Sequence, residues 1–124
     1  MSFIIAGGAG FIGINLITKL LNKSESNRVF ILDNFSNSNK CYLEELSGND
    51  KLSIIRCDIS NFDSLRLIFK NILSEIKDEP QIWHLAANSD IPSGIKDPNI
   101  DLKDTFITTF NLLECCRLYQ IKSF

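Results

Sequence analysis

Short apolar runs separated by amphipathic stretches dominate the chain. Residues 2–6, 28–32, 52–57 and 81–87 are rich in Ile, Val, Leu, Phe or Ala, and each run is too short for an ordinary helix. Continuous apolar runs of this kind are typical of strands that are buried on both faces of a parallel sheet. We therefore predict four strands, with Asp33 and Asp58 at the ends of the second and third.

Between these runs, apolar residues recur at the three- and four-residue spacing of a helix face. The stripe after the first strand comprises Phe11, Ile12, Leu16, Ile17, Leu20 and Leu21. The stripe after the third comprises Leu65, Ile68, Phe69, Ile72 and Ile76, with Ser60 and Asp63 as a capping-box-like start. The stripe after the fourth comprises Leu102, Phe106, Phe110 and Leu113, and it predicts a long helix from about Asn99 towards Tyr119. A shorter helix is predicted over residues 41–46.

This β-α alternation, repeated four times, implies right-handed crossovers and helices on both faces of the sheet. We predict an α/β fold with a Rossmann-type, doubly wound parallel sheet. The length of 124 residues allows one domain, over residues 1–124. Residues 34–40 are predicted to be a polar loop, and residues 88–97 a loop above the strand ends, where a substrate could lie.

Charge and hydropathy exclude several partners. Thirteen basic against fifteen acidic residues give a net charge of -2, so no basic face that would attract nucleic acid or an anionic membrane is expected. The longest apolar runs are far shorter than the roughly 18 residues of a membrane span, and the amino terminus has no signal-peptide pattern. A cytoplasmic protein is expected.

The four cysteines, Cys41, Cys57, Cys115 and Cys116, lack the spacing of a zinc site or a redox pair, and no metal site is predicted. We expect small buried apolar side chains in a reducing compartment. His84 is the only histidine, and without an evident acid or nucleophile partner it is predicted to be structural. Trp83, Phe106 and Phe110 are predicted to be core aromatic residues.

Three glycines carry the main functional signal. Gly7, Gly10 and Gly13 form Gly-x-x-Gly-x-x-Gly where the first strand turns into the first helix. Glycines there permit positive φ, let the main chain approach a pyrophosphate and allow close packing of helix on strand, while the helix amino terminus offers free N–H groups. The pattern predicts a phosphate-binding loop; the alternative is a merely structural turn.

Two acids follow the second and third strands. Asp33 stands 20 residues beyond Gly13 (33 − 13) and can accept hydrogen bonds from adenosine ribose hydroxyls. A 2'-phosphate about 4 Å from its carboxylate would cost on the order of 4 kcal/mol per unit charge at an effective dielectric near 20, which favours NAD over NADP. The alternative is a solvated strand-end residue. Asp58 either caps the turn before the third helix or accepts the adenine amino group.

Taken together, these motifs resemble the extended short-chain dehydrogenase/reductase family. The matching segments are Gly7 to Gly13, Leu32-Asp33-Asn34, Asp58-Ile59, His84 to Ala87 and Asn111 to Glu114. The pattern is most similar to nucleotide-sugar epimerases and dehydratases of the UDP-glucose 4-epimerase kind, and it covers essentially the whole chain.

The resemblance implies a role for each segment in NAD binding. It implies that the N–H groups of Phe11 and Ile12 meet the pyrophosphate, and that Asp33 and Asn34 hold the ribose. It also implies that Asp58 and Ile59 border adenine, and that Leu85, Ala86 and Ala87 lie beneath the nicotinamide ribose. In this family, bound NAD takes a hydride from a sugar carbon and later returns it. Catalysis depends on a Tyr-x-x-x-Lys pair plus Ser or Thr, the lysine lowering the tyrosine pKa.

The chain departs from this pattern in two ways. Neither Tyr42 nor Tyr119 is followed by lysine four residues later, so Tyr-x-x-x-Lys is absent, and Thr105 stands where the family has an asparagine.

The chain ends at Phe124, where the family would start its fifth strand, and it resembles an amino-terminal fragment without the catalytic and substrate part. The fourth strand would then be a sheet edge beside an uncovered apolar helix face, and we expect self-association.

Three functions remain open. The first is the NAD-binding portion of a nucleotide-sugar epimerase or dehydratase, which needs a carboxy-terminal half for catalysis and for binding the sugar nucleotide. The second is a non-enzymatic dinucleotide-binding module or a degenerate remnant. The third is an NADPH-dependent short-chain carbonyl reductase, against which Asp33 argues.

Overall fold

The computed structural model describes residues 1–37, 41–44, 46 and 48–124. Within these residues, four strands form one parallel sheet: β1 (Ser2–Ala6), β2 (Arg28–Asp33), β3 (Leu52–Arg56) and β4 (Gln81–His84). Their order is β3-β2-β1-β4, so the chain crosses from one side of β1 to the other between β3 and β4. This confirms the predicted α/β fold. The strands β3 and β4 end before the predicted residues 57 and 87.

The helices are α1 (Phe11–Lys23), α2 (Cys41–Glu44), α3 (Phe62–Glu75), α4 (Ile91–Lys96), α5 (Pro98–Asp101) and α6 (Thr108–Tyr119). A π-helical segment, Leu102–Ile107, joins α5 to α6. Parts of the predicted loop and short helix, residues 38–40 and 45, lie outside the described residues. Among the described helices, none has both the length and the apolar character that crossing a membrane requires.

Two predictions for the last third of the chain were wrong. Residues 88–97 are not all loop, because α4 forms there with Pro92 near its start and the Asp90 side chain accepting from Ser93 N at 3.1 Å. Proline is well tolerated in a first helical turn, since that N–H has no intrahelical partner. The single long helix is instead α5, the π-helical segment and α6, and Asp97 caps α5 through Asn99 N.

The sheet is buried on both faces because its strands alternate between two apolar clusters. Ile4 and Phe30 point towards α3 and α6, where Leu65 and Leu112 complete one cluster. Ile5 and Ile31 point to the other face, in a second cluster that includes Ile17 and Leu21 from α1. Cys115 and Cys116 are both buried in the first cluster, as expected of apolar side chains. The prediction for Cys41 concerns a side chain outside the described part.

The start of α3 differs from the predicted capping box. Asn61, not Ser60, is the N-cap residue, and its side-chain oxygen accepts from Ser64 N at 3.1 Å. Ser60 instead donates its hydroxyl to Asp58 Oδ1 at 2.6 Å. Both residues can cap a helix, and the preceding turn decides between them.

The predicted core position of three aromatic residues was wrong. Trp83, Phe106 and Phe110 are 38%, 62% and 57% exposed. Phe106 and Phe110 lie with Leu102 and Leu113 on an exposed apolar face of the π-helical segment and α6, which agrees with the expected uncovered helix face. The outer edge of β4 is paired at one point, where Ile82 N donates to Ser123 O at 2.9 Å.

Candidate functional site

A cleft of about 370 Å³ opens at the carboxyl ends of the four strands. Its volume lies in the range of small-molecule and cofactor sites, and its position, between the neighbouring strands β1 and β4 where the strand order reverses, is where open α/β sheets bind ligands. All twelve residues predicted from the sequence to bind the cofactor border it. They form four groups: the glycine loop with the start of α1, and the ends of β2, β3 and β4.

The three glycines have different roles in the loop between β1 and α1. Gly7 has φ +76°, and a Cβ there would lie 2.5 Å from Ala86 N, so both conformation and space require glycine. A Cβ at Gly13 would overlap the Gly8 carbonyl oxygen and lie 2.6 Å from Gly8 Cα. Gly10 has φ -80°, and its Cβ would have only Gly7 O nearby, at 3.6 Å. The fold therefore requires Gly7 and Gly13, whereas Gly10 leaves space beside the cleft.

The first turn of α1 faces the cleft with its N–H groups. Gly10 is the N-cap and makes no side-chain cap bond, and the first turn carries no acidic residue. Helix geometry leaves the N–H groups of Phe11, Ile12 and Gly13 without intrahelical carbonyls, and the helix dipole adds partial positive charge. Phe11 and Ile12 are 76% and 67% exposed, so the buried face of α1 begins after them and comprises Gly13, Ile17 and Leu21. This turn offers donors suited to an anion.

Asp33, at the end of β2, is tied to the glycine loop. Its Oδ2 accepts from Ala9 N at 2.9 Å, and its Oδ1 accepts from Phe35 N at 2.8 Å. Phe35 itself has φ +60°, an uncommon conformation for a residue other than glycine. Asp33 is thus more than a solvated strand-end residue. Each oxygen keeps acceptor capacity that could bind a hydroxyl. Asn34 is exposed beside it, and its side-chain oxygen accepts from Ser36 N at 3.0 Å.

Asp58 and Ile59 form the cleft wall after β3. Asp58 Oδ1 accepts from Ser60 N at 2.9 Å and Oδ2 pairs with Lys103 Nζ at 3.2 Å. The Ser60 hydroxyl is the main reason that the pKa of Asp58 is lowered, and Lys103 adds to this. The turn-capping interpretation of Asp58 is therefore correct, and the residue still borders the cleft. Ile59 anchors the turn through a buried side chain.

Leu85, Ala86 and Ala87 continue from β4 along the cleft floor. Leu85 N donates to Ala6 O at 2.8 Å, which extends the pairing with β1 by one bond. Leu85 packs against the cluster on the α1 face and Ala86 against the cluster on the α3 face. The main chain of Leu85 and Ala86 lies directly against Gly7, so the floor and the glycine loop are packed together.

Eight further residues border the cleft that were not predicted from the sequence to bind the cofactor. They are Leu32, Ser36, Asn37, Cys57, Asn88, Ser89, Asp104 and Thr108. Cys57 and Asn88 follow strand ends, a signal that could have found them. Burial, with Asp33 and Asp58 nearby, raises the pKa of the Cys57 thiol to about 11, so this thiol stays neutral and is a poor nucleophile at neutral pH. Asp104, in the π-helical segment, and Thr108, the first residue of α6, also border the cleft, and no sequence signal indicated either of them.

His84 and Tyr119 occupy structural positions. His84 Nε2 lies 2.9 Å from Thr109 Oγ1, its Nδ1 is buried, and burial lowers its pKa. The Tyr119 hydroxyl donates to Arg66 O at 2.9 Å, and its ring stacks on Phe69 at 6.2 Å. Thr105 accepts from Asn88 N at 3.1 Å through its hydroxyl. Neither His84 nor Tyr119 borders the cleft.

Comparisons with known proteins found related sequences over nearly the whole chain. The model of the family described as GDP-mannose 4,6 dehydratase matches residues 4–124. A UDP-glucose 4-epimerase of Mycolicibacterium smegmatis is 30% identical over 98% of this chain and 36% of its own length. UDP-glucuronic acid decarboxylase 5 of Arabidopsis thaliana is 32% identical over 91% of this chain and 29% of its own.

Solved structures show the same relation. Pal from Bacillus thuringiensis superposes with a TM-score of 0.85 and 33% identity, over 99% of this chain and 37% of its own. The Thermus thermophilus UDP-glucose 4-epimerase, solved in complex with NAD, superposes with a TM-score of 0.80 and 25% identity. The match covers 98% of this chain and 35% of the epimerase chain. The chain thus spans about a third of the length of the proteins that it matches.

Proposed function

Since the chain belongs to the GDP-mannose 4,6 dehydratase family, within the extended short-chain dehydrogenases/reductases of the epimerase and dehydratase kind, we propose that it binds NAD in the cleft described above. The carrying observation is the Asp33 carboxylate, which accepts from Ala9 N of the glycine loop and borders the same cleft. One contact thereby links the proposed pyrophosphate and ribose sites.

The four groups of cleft residues fit successive parts of the dinucleotide. The N–H groups of Phe11 and Ile12 would bind the pyrophosphate, beside the space that Gly10 leaves. Asp33 and Asn34 would hold the adenosine ribose, and Asp58 and Ile59 would border adenine. The segment from Leu85 to Ala87 would lie beneath the nicotinamide ribose. The glycine loop fits the dinucleotide because Gly7 packs against the cleft floor, where a Cβ would collide with Ala86, and because Gly10 leaves space for a pyrophosphate.

Charge favours NAD over NADP in this cleft. Ala9 N and Phe35 N hold the Asp33 carboxylate by both oxygens, so it cannot turn away without losing a bond. A 2'-phosphate about 4 Å from it would cost about 4 kcal/mol per unit charge, or about a thousandfold in affinity. This argues against the third function, an NADPH-dependent carbonyl reductase.

The proposed role is the NAD-binding portion of a nucleotide-sugar epimerase or dehydratase. When bound, NAD supplies reversible acceptance of a hydride from a sugar carbon. This chain binds and orients the dinucleotide, whereas the Tyr-x-x-x-Lys pair and the sugar site would come from a carboxy-terminal half. A nucleotide sugar is therefore a partner only when that half is supplied, and the chain alone is not catalytic.

A non-enzymatic NAD-binding module is the second candidate. The observation that favours it is the engagement of Tyr119 with Arg66 O and Phe69, away from the cleft. Supplying a segment with Tyr-x-x-x-Lys in trans separates the two functions. Turnover of a nucleotide sugar in that mixture supports the epimerase or dehydratase, and NAD binding without turnover supports the module. A cytoplasmic location remains part of the proposal.

Calorimetric titration of the 124-residue chain with NAD and NADP tests the cofactor. We expect saturable NAD binding far tighter than NADP binding. Asp33→Asn should weaken NAD binding about tenfold or more and reduce the discrimination against NADP, because it removes the charge and one acceptor.

Asp78→Asn is the matched control. Asp78 also accepts from a backbone N–H and a hydroxyl, both of Ser2, at 2.7 and 2.8 Å, but at the opposite end of β1. This variant should bind NAD as the unmodified chain does. Equal affinity for NAD and NADP would favour the reductase, and absence of binding to either would contradict the proposal.

A further inference from the structure

Asn111 is a buried polar residue on α6 that the cofactor assignment does not use. It is 5% exposed, and its side-chain nitrogen donates to Ile59 O at 3.0 Å and to Ser60 O at 2.9 Å. Both acceptors are main-chain carbonyls of the turn between β3 and α3. An amide with two hydrogens satisfies both of them, which neither a carboxylate nor an apolar side chain could do.

The turn that Asn111 holds carries one wall of the cleft. Asp58 and Ile59 border the cleft directly, and Ile59 O is one of the two carbonyls. Within the turn, Asn61 N donates to Asp58 O at 3.0 Å and Ser60 N to the Asp58 carboxylate. These local bonds shape the turn, but they do not fix its position relative to α6.

The opposite wall belongs to the same helical run as Asn111. Asp104 and Thr108 border the cleft, and Thr108 precedes Asn111 by one turn of α6. Thr108 is fixed in turn by its hydroxyl, which donates to Asp104 O at 2.9 Å. The amide of Asn111 therefore joins the two walls at the end of the cleft where Asp58 lies.

We propose that Asn111 is a positioning residue that sets the distance between these two walls, and so the fit of the adenine end of the dinucleotide. The inference rests on the proposed NAD site. Asn111 touches no reacting group and acts through Ile59 and Ser60. Replacing the amide frees two buried carbonyls, and the turn carrying Asp58 can then move away from α6.

Titration calorimetry with NAD and with ADP tests this role, since ADP carries the adenine, ribose and pyrophosphate alone. We expect Asn111→Asp and Asn111→Ala to lower the affinity for both NAD and ADP by about tenfold, because roughly one hydrogen bond is lost. Thermal melts select a temperature at which each variant is folded, and the alanine variant decides if the aspartate variant does not fold.

Asn27 supplies the matched control. It is also a buried asparagine, 4% exposed, whose side-chain nitrogen donates to Leu20 O at 2.7 Å, and it does not border the cleft. Asn27→Asp and Asn27→Ala should lower the melting temperature while the dissociation constants of NAD and ADP stay unchanged.

Each outcome decides between the two proposals. Folded Asn111 variants that bind ADP as tightly as the unmodified chain overturn the positioning role and leave the NAD site intact. Equal weakening in the Asn27 variants also overturns it, because the cause would then be general destabilisation. An unmodified chain that binds neither NAD nor ADP overturns the proposed function, and the inference with it.

Discussion

Alanine substitutions at Gly13 and Gly10 should separate folding from ligand binding within one loop. A Cβ at Gly13 would overlap the Gly8 carbonyl and lie 2.6 Å from Gly8 Cα, so backbone must shift. Overpacking of this kind costs typically 1–3 kcal/mol, and the upper part of that range applies because the opposing atoms are main chain. Alanine is also more favourable than glycine in a helix by about 1 kcal/mol, which offsets part of this cost in α1. The free energy of unfolding should therefore fall by about 2 kcal/mol.

Gly10→Ala should leave stability almost unchanged. Gly10 has φ -80° and ψ 172°, a conformation that alanine adopts freely, and its Cβ would be in ordinary contact with Gly7 O at 3.6 Å. Alanine is the poorer N-cap residue, but it also reduces the entropy of the unfolded chain by about 0.4–1 kcal/mol, and these effects nearly cancel. The added methyl would occupy space where the pyrophosphate approaches, and NAD affinity should fall at least about tenfold.

Urea unfolding and NAD titration of the two variants form the assay. Gly13→Ala should show a lower unfolding midpoint with an unchanged urea dependence, whereas Gly10→Ala should unfold like the unmodified chain and bind NAD poorly. If Gly13→Ala unfolds like the unmodified chain, the close packing of α1 on Gly8 is refuted. If Gly10→Ala binds NAD normally, no phosphate passes beside that residue.

Three further predictions concern other parts of the fold. Burial lowers the pKa of His84 below 6.5, so its contribution to stability is complete above that pH. As the pH falls, the unfolded chain takes up a proton more readily than the folded chain, and this contribution is lost. Between about pH 7.5 and pH 5.5, the urea midpoint should therefore decrease less in His84→Asn than in the unmodified chain. We propose that the exposed Phe106 and Phe110 promote self-association, so Phe106→Ser with Phe110→Ser should lower the sedimentation coefficient at high concentration; an unmodified chain that is monomeric throughout contradicts this. Asn61→Ala should cost about 1 kcal/mol by urea unfolding and Ser60→Ala less, because Asn61 caps α3; equal costs would count against that assignment.

The features that could be predicted from the sequence are those set by neighbouring residues. Continuous apolar runs identified the four strands, because a strand buried on both faces needs no alternation. The glycine spacing located the turn before α1, because only glycine fits at Gly7 and Gly13. Asp33 followed from its position at a strand end. Its bond to Ala9 N was not predictable, because 24 residues separate the two positions.

The errors arose where the covering element decides the outcome. Periodicity correctly grouped Phe106 and Phe110 on one helix face, but it cannot say whether another element covers that face, and both are exposed. The choice of Asn61 over Ser60 as cap depended on Asp58, which binds the Ser60 hydroxyl. The π-helical segment was hidden for the same reason, since the hydroxyl of Thr105 accepts from Asn88 N, in the segment that follows β4.

The position of the cleft follows from sheet order alone. Because β1 lies between β2 and β4, α1 after β1 and α6 after β4 pack on opposite faces of the sheet. They leave a crevice at the carboxyl ends of β1 and β4. Every strand end then contributes to one site, although Gly7 and Ala87 are 80 residues apart (87 − 7). Asn111 joins the walls of this crevice across 52 residues of sequence. A substitution of Asn111 should therefore lower the affinity for NAD, although Asn111 itself does not border the cleft.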